Sequence, residues 1–136
     1  MKNNTLKIST MISFVILLFT VACNSASTDM SQTTGGKVEN LDVKTFKEKY
    51  EASNNAVLLD VRTPEEIAES KIEGSTALDF NSSDFYPKLD ALDKNKEYFI
   101  YCKVGGRSGK TCDYLAKKGF KTYNLKGGID AWNSAK

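Results

Sequence analysis

The chain has 136 residues, 40% hydrophobic and 26% charged, with a formal charge of +2. Its 9 Gly, 2 Pro and 3 Cys suit one α/β or α+β domain and exclude a disulfide-rich miniprotein, a collagen-like repeat and wholesale disorder. It has no histidine. That excludes Ser-His and Cys-His catalytic pairs, imidazole metal ligands and an imidazole pH switch, while the small charge points away from a nucleic-acid partner.

Lys2 and Lys7 precede an uncharged apolar run, Met11 to Val21. A membrane-spanning helix needs about 20 residues, so this shorter run reads as the apolar segment of a secretory signal. Ala22-Cys23 follows at once. The arrangement resembles a bacterial lipoprotein signal, in which a small residue precedes a Cys that is lipidated and becomes the new N-terminus. Thr20 departs from that pattern, which usually has Leu three residues before the Cys, and an ordinary signal peptide with an unrelated Cys is the alternative. The expectation is removal of residues 1–22, lipidation of Cys23 and anchoring to a bacterial membrane on its periplasmic or cell-surface side.

Cleavage takes two of the 19 basic residues and none of the 17 acidic ones, so the remainder has no net charge. Residues 24–37 are mostly Ser, Thr, Asn and Gly with little to bury, and with Cys23 they are expected to form a tether. The folded domain is expected over 38–136, long enough for one modest core.

Asp42 caps a helix carrying Val43, Phe46 and Tyr50 on one face. Ala56 to Val61 is a nearly continuous apolar run, as expected of a strand covered on both faces. Thr63-Pro64-Glu65-Glu66 starts a helix: threonine caps, proline takes the first helical position and Glu66 closes a capping box. A weaker strand signal spans Thr76 to Phe80, and Ser82 or Ser83 then caps a helix running through Leu89 and Leu92. Tyr98 to Tyr101 is the second buried strand. It leads into Cys102-Lys103-Val104-Gly105-Gly106-Arg107 and a helix with Cys112, Leu115 and Ala116 on one face, stopped by Gly119. Lys121 to Leu125 makes a last strand, Gly127-Gly128 a turn and Ile129 to Ser134 a terminal helix. Alternating strands and helices predict an α/β fold, a central and mostly parallel sheet with helices on both faces. Asp60-Val61-Arg62 and Cys102 fall at strand C-termini, where open α/β sheets place their sites.

The segment from Cys102 to Ser108 has a mechanical meaning. Its glycines let successive amides turn inward around the sulfur, the following helix presents its positive end, and Lys103 and Arg107 add charge. Such surroundings bring cysteine pKa values down to about 3.5–7.5, so a histidine-free chain can still activate this thiol.

Together with Asp60-Val61-Arg62-Thr63-Pro64-Glu65-Glu66 upstream and Lys126-Gly127-Gly128-Ile129-Asp130-Ala131-Trp132 downstream, this segment closely resembles a single-domain rhodanese over nearly all of residues 38–136. The resemblance implies a sulfurtransferase in which Cys102 accepts a sulfane sulfur as a persulfide. The donor would be a small anion, thiosulfate or a persulfide, and the acceptor a thiol or cyanide. The resemblance also makes Lys103, Val104, Gly105, Gly106, Arg107 and Ser108 the cradle for substrate. Four residues separate Cys102 from Arg107, the tighter rhodanese form; phosphatases and arsenate reductases have five. Where rhodaneses usually read Gly-His-Ile-x-Gly-Ala, this chain has Ser70-Lys71-Ile72-Glu73-Gly74-Ser75, keeping only the isoleucine and second glycine. Neither metal nor cofactor is expected.

Other residues have two readings each. Asp60 and Arg62 either organise the active-site loops as an ion pair or meet substrate. Glu66 caps its helix or pairs with Arg107, and Ser108 caps the helix after the loop or donates a hydrogen bond to it. Trp132 anchors the terminal helix to the core. Cys112 is a small core residue or a resolving thiol. Three alternatives stand beside the sulfurtransferase: a sulfur carrier that works through a relay partner, a thiol-redox protein using Cys102 with Cys112, and an inactive binding domain.

Overall fold

The computed structural model describes residues 35–136; the expected export signal, Cys23 and the expected tether up to residue 34 lie outside the described residues. Five strands and five helices alternate: β1 (Val38–Leu41), α1 (Val43–Ala52), β2 (Ala56–Asp60), α2 (Pro64–Glu69), β3 (Thr76–Ala77), α3 (Phe85–Asp90), β4 (Glu97–Tyr101), α4 (Gly106–Lys117), β5 (Lys121–Leu125) and α5 (Gly128–Ser134). All strand pairs are parallel, in the order β1-β5-β4-β2-β3, as the alternating pattern predicts.

Side chains alternate across β4 because successive strand residues face opposite ways. Tyr98 and Ile100 enter a core with Leu59, Phe85, Leu89, Cys112, Leu115 and Phe120, beneath α3 and α4. Phe99 and Tyr101 enter the other, with Phe46, Leu58, Ile72, Leu125 and Ile129, beneath α1 and α5. There Phe99 stacks on Tyr123 with ring centroids 4.4 Å apart and meets the edge of Phe46 at 5.3 Å. Burying each such ring contributes about 2–3 kcal/mol. Trp132 packs partly buried against this second core, which holds α5 on the sheet.

Local chemistry explains the well-predicted elements. Asp42 Oδ1 accepts the Thr45 amide at 2.9 Å to start α1. The Thr63–Glu66 capping box forms with both hydrogen bonds, and Pro64 opens α2. Gly119 ends α4 with φ +90°.

Two expectations are corrected, and one strand is added. Helix α3 starts after Asp84 rather than Ser82 or Ser83, with no side-chain cap, and ends at Asp90 rather than Leu92. The Ser82 hydroxyl and Lys88 ammonium both occupy the Asp84 carboxylate, so it does not turn toward the helix amides. The strand expected over Thr76 to Phe80 is only two residues long, because it pairs with β2 alone and β2 ends at Asp60. β1 was not anticipated; its four residues lack an apolar run and are held by pairing with β5.

Candidate active site

β4 ends at Tyr101, and Cys102 is the first residue beyond it, at the C-terminal edge of the sheet's central strand. The chain then turns through Gly105, whose φ of +97° requires a residue without a Cβ, into the twelve-residue helix α4. This turn aims donors at the sulfur. The Gly105 amide donates to Cys102 Sγ at 3.1 Å and the Ser108 hydroxyl at 3.4 Å. The amides of Ser108 and Val104 add to them.

These contacts decide the state of the thiol. Cys102 is only 1% exposed, and burial, the largest single influence, pushes its pKa up. The hydrogen bonds from the Ser108 hydroxyl and the amides of Ser108, Gly105 and Val104 together outweigh it, so the pKa lies below the usual thiol value. Ser108 thus serves the sulfur directly. It is not the cap of α4, a position occupied by Gly105.

A second layer fixes which way the loop's peptides face. The amides of Ile129 and Asp130, in the first turn of α5, donate to the carbonyls of Cys102 and Lys103 at 2.9 and 3.2 Å. Asn124, on β5, donates from Nδ2 to the Gly105 carbonyl at 3.3 Å and to Asn40 Oδ1 at 2.8 Å. With their carbonyls held from behind, the loop's amides are left facing the sulfur. Asn124 and the α5 amides escaped sequence reasoning. The Gly127-Gly128 pair was visible as a turn, but its packing against a segment 25 residues earlier was not.

Of the two cations expected beside the thiol, Lys103 is exposed and Arg107 is matched by a carboxylate. Arg107 donates from Nη1 to Glu66 Oε2 at 2.8 Å and from Nη2 to Oε1 at 2.7 Å. Glu66 Oε2 also accepts the Thr63 amide at 3.0 Å, so both readings of this residue hold at once. Arg107 is the chief cause that brings the Glu66 pKa down to about 2, against the opposing pull of burial.

Asp60 and Arg62 form a buried, two-point ion pair, with Nη2 to Oδ2 at 2.6 Å and Nε to Oδ1 at 2.9 Å. The same guanidinium donates to the carbonyls of Glu66 at 3.2 Å and Ser70 at 2.7 Å. It therefore ties α2 to the end of β2 and supports Glu66 from below. In the turn from Ser70 to Ser75, the Ile72 amide donates to the Tyr101 hydroxyl at 3.1 Å and that hydroxyl donates to Ser75 Oγ at 3.0 Å. Cys112 is fully buried on the inner face of α4, and burial pushes its thiol up to about 12.

A recessed sulfur ringed by amides, its pKa held below the usual thiol value, can attack an electrophilic atom as the thiolate and then hold the anion that results. Comparison with known proteins bears on which atom. Residues 42–135 match the model of the rhodanese-like domain. The chain is 41% identical over 96 residues to the putative sulfurtransferase YtwF of Bacillus subtilis, covering 71% of this chain and 91% of the relative. It is 36% identical to the thiosulfate sulfurtransferase GlpE of Ectopseudomonas mendocina, covering 60% of this chain and 74% of the relative. A crystal structure of a rhodanese-like domain protein from Staphylococcus aureus superimposes with a TM-score of 0.61 at 31% identity, covering 69% of this chain and 90% of that one.

Proposed function

The chain belongs to the rhodanese-like sulfurtransferase family, and we propose that it moves a sulfane sulfur from thiosulfate or a persulfide donor to a thiol or cyanide through a persulfide on Cys102. The observation that carries this reading is the ring of donors at the sulfur: the Gly105 amide, the Ser108 hydroxyl and the neighbouring amides, which hold the thiol below its usual pKa in a chain without histidine.

The steps follow from that ring. The Cys102 thiolate attacks the outer sulfur of the donor, the donor's S–S bond breaks, and sulfite or a thiolate leaves with the bonding pair. The outer sulfur remains on Cys102 as a persulfide anion, stabilised by the same preorganised amides without any proton donor. The acceptor then attacks that outer sulfur, and Cys102 leaves as a thiolate. No net oxidation occurs. Because Cys102 is almost wholly covered, a donor must enter end-on, which the single-atom tip of a sulfane group permits.

The buried Cys112 thiol, with its raised pKa, counts against a redox pair with Cys102. Within this reading the domain comprises residues 38–136, and residues 1–23 support export and a lipid anchor at Cys23; Cys23→Ser should then release the protein from the membrane fraction. The activity is tested by thiocyanate formation from thiosulfate and cyanide, expected in the protein and absent in Cys102→Ala. Undiminished thiocyanate in Cys102→Ala contradicts the reading.

A further inference from the structure

Arg107 is the cation nearest in sequence to the N-terminus of α4, and both of its terminal nitrogens donate to Glu66, at 2.7 and 2.8 Å, while its guanidinium also faces the Cys102 sulfur. Glu66 is itself fixed from three sides. Its Oε2 accepts the Thr63 amide at 3.0 Å, its own amide reaches Thr63 Oγ1 at 3.4 Å, and its carbonyl accepts Arg62 Nη1 at 3.2 Å. The pair is partly shielded, with side-chain exposures of 26% and 27%. The mouth of the loop thus presents a neutral ion pair where the loop sequence alone suggests a free guanidinium.

That difference matters to a dianion. Thiosulfate brings two negative charges toward a thiolate, and a fixed carboxylate cancels the positive field that would draw it in. An organic persulfide brings one charge, and it carries a carbon skeleton that thiosulfate lacks. Val104, 63% exposed at the loop tip, offers that skeleton an apolar contact.

We propose that Glu66 is a specificity-determining residue which, by neutralising Arg107, turns the site toward monoanionic organic persulfides and away from thiosulfate. This rests on the sulfur-transfer reading above. In the loading step the Cys102 thiolate attacks the outer sulfur of R–S–S⁻. The bond between the two donor sulfurs breaks, R–S⁻ leaves with the electron pair, and Cys102–S–S⁻ remains, so one sulfur moves and the total charge of −2 (about two elementary charges by formal count) is conserved.

The test is the rate at which Cys102 gains one sulfur, followed by quenched intact-mass measurement with subsaturating thiosulfate or 2-hydroxyethyl persulfide, whose only charge is on its terminal sulfur. 2-Hydroxyethyl persulfide is expected to load at least about tenfold faster than thiosulfate, the order set by one unit charge acting over a few ångströms at a partly solvated site. Glu66→Gln retains the side-chain acceptor of the capping box but frees Arg107, and is expected to raise the thiosulfate-to-persulfide rate ratio about tenfold. Glu66→Asp, which keeps the charge, should leave that ratio near its starting value. Equal loading by both donors, or the same ratio change in the Gln and Asp variants, overturns the proposal while leaving sulfur transfer intact. Failure of both donors to load Cys102 overturns the sulfur-transfer reading itself, and this proposal with it.

Discussion

The Ile129 amide donates to the Cys102 carbonyl at 2.9 Å, so the last helix of the chain sets the direction in which the nucleophile's peptide faces. The approach is possible because Gly128 has no side chain. A Cβ there would lie 2.3 Å from the Lys103 carbonyl oxygen and 2.4 Å from that of Cys102.

Gly128→Ala therefore forces either α5 or the active-site loop to move, in addition to the strain of its φ of +58°. We expect Tm to fall by on the order of 10 °C or more and sulfur loading to fall with it. Gly74→Ala is the control: its φ is +79°, but the nearest atom to an added Cβ is the Tyr50 hydroxyl at 3.8 Å. Only backbone strain of about 1–2 kcal/mol is expected there, with loading retained. Equal effects of the two substitutions on loading would remove the brace from the account.

Ser108→Ala deletes the hydroxyl that donates to Cys102 Sγ while leaving the helix intact. Hydrogen bonding to a thiolate favours the charged form, so its loss raises the thiol pKa. In a pH series of iodoacetamide alkylation, the Cys102 midpoint should rise by about half to one unit. An unchanged midpoint would mean that the amides alone hold the sulfur.

Much of this site was legible in the chain because its signals are local. The capping box at Thr63–Glu66, the strand before Cys102 and the glycine turn after it each depend on residues within a few positions of one another. The parallel sheet followed from alternation of such elements. What escaped reading depends on contacts between distant segments. β1 exists through its pairing with β5, and Asn124 matters because the fold brings it to Gly105 and Asn40. The Glu66–Arg107 pair stood in the sequence only as one of two readings, because the partners are 41 residues apart; the fold realises it together with the cap. Helix α3 shows a local failure, since it starts after Asp84, whose carboxylate takes the Ser82 hydroxyl and the Lys88 ammonium, and no side chain caps it.

Cys112→Ala separates transfer from redox chemistry. The thiol is buried against the sheet and pushed up to about 12, so it stays protonated and unreactive at neutral pH. The substitution should cost about 1 kcal/mol through the lost packing and leave the rate of thiocyanate formation close to that of the parent. Loss of turnover in a variant that still unfolds cooperatively would restore Cys112 as a resolving thiol.

The Glu66–Arg107 pair has a defined acid limit. Glu66 has its pKa lowered to about 2 from an ordinary 4.5, so the unfolded chain binds this proton more readily than the folded one. The pair's contribution is thus complete above about pH 4.5, declines as the pH falls and is gone below about 2. Allowing for solvent screening at this partly exposed pair, it amounts to about 1 kcal/mol. Urea midpoints of the parent and Glu66→Gln should differ by a constant amount between pH 5 and 7 (about neutral to mildly acid conditions) and converge at lower pH. A gap that widens with acid contradicts the assignment.

Intact mass spectrometry after incubation with thiosulfate or glutathione persulfide tests the central claim most directly. Transfer to the amide-ringed sulfur predicts a gain of about 32 Da, one sulfur atom held covalently, reversed by cyanide and lost in Cys102→Ala. No gain with either donor, or a gain that survives Cys102→Ala, would contradict the account.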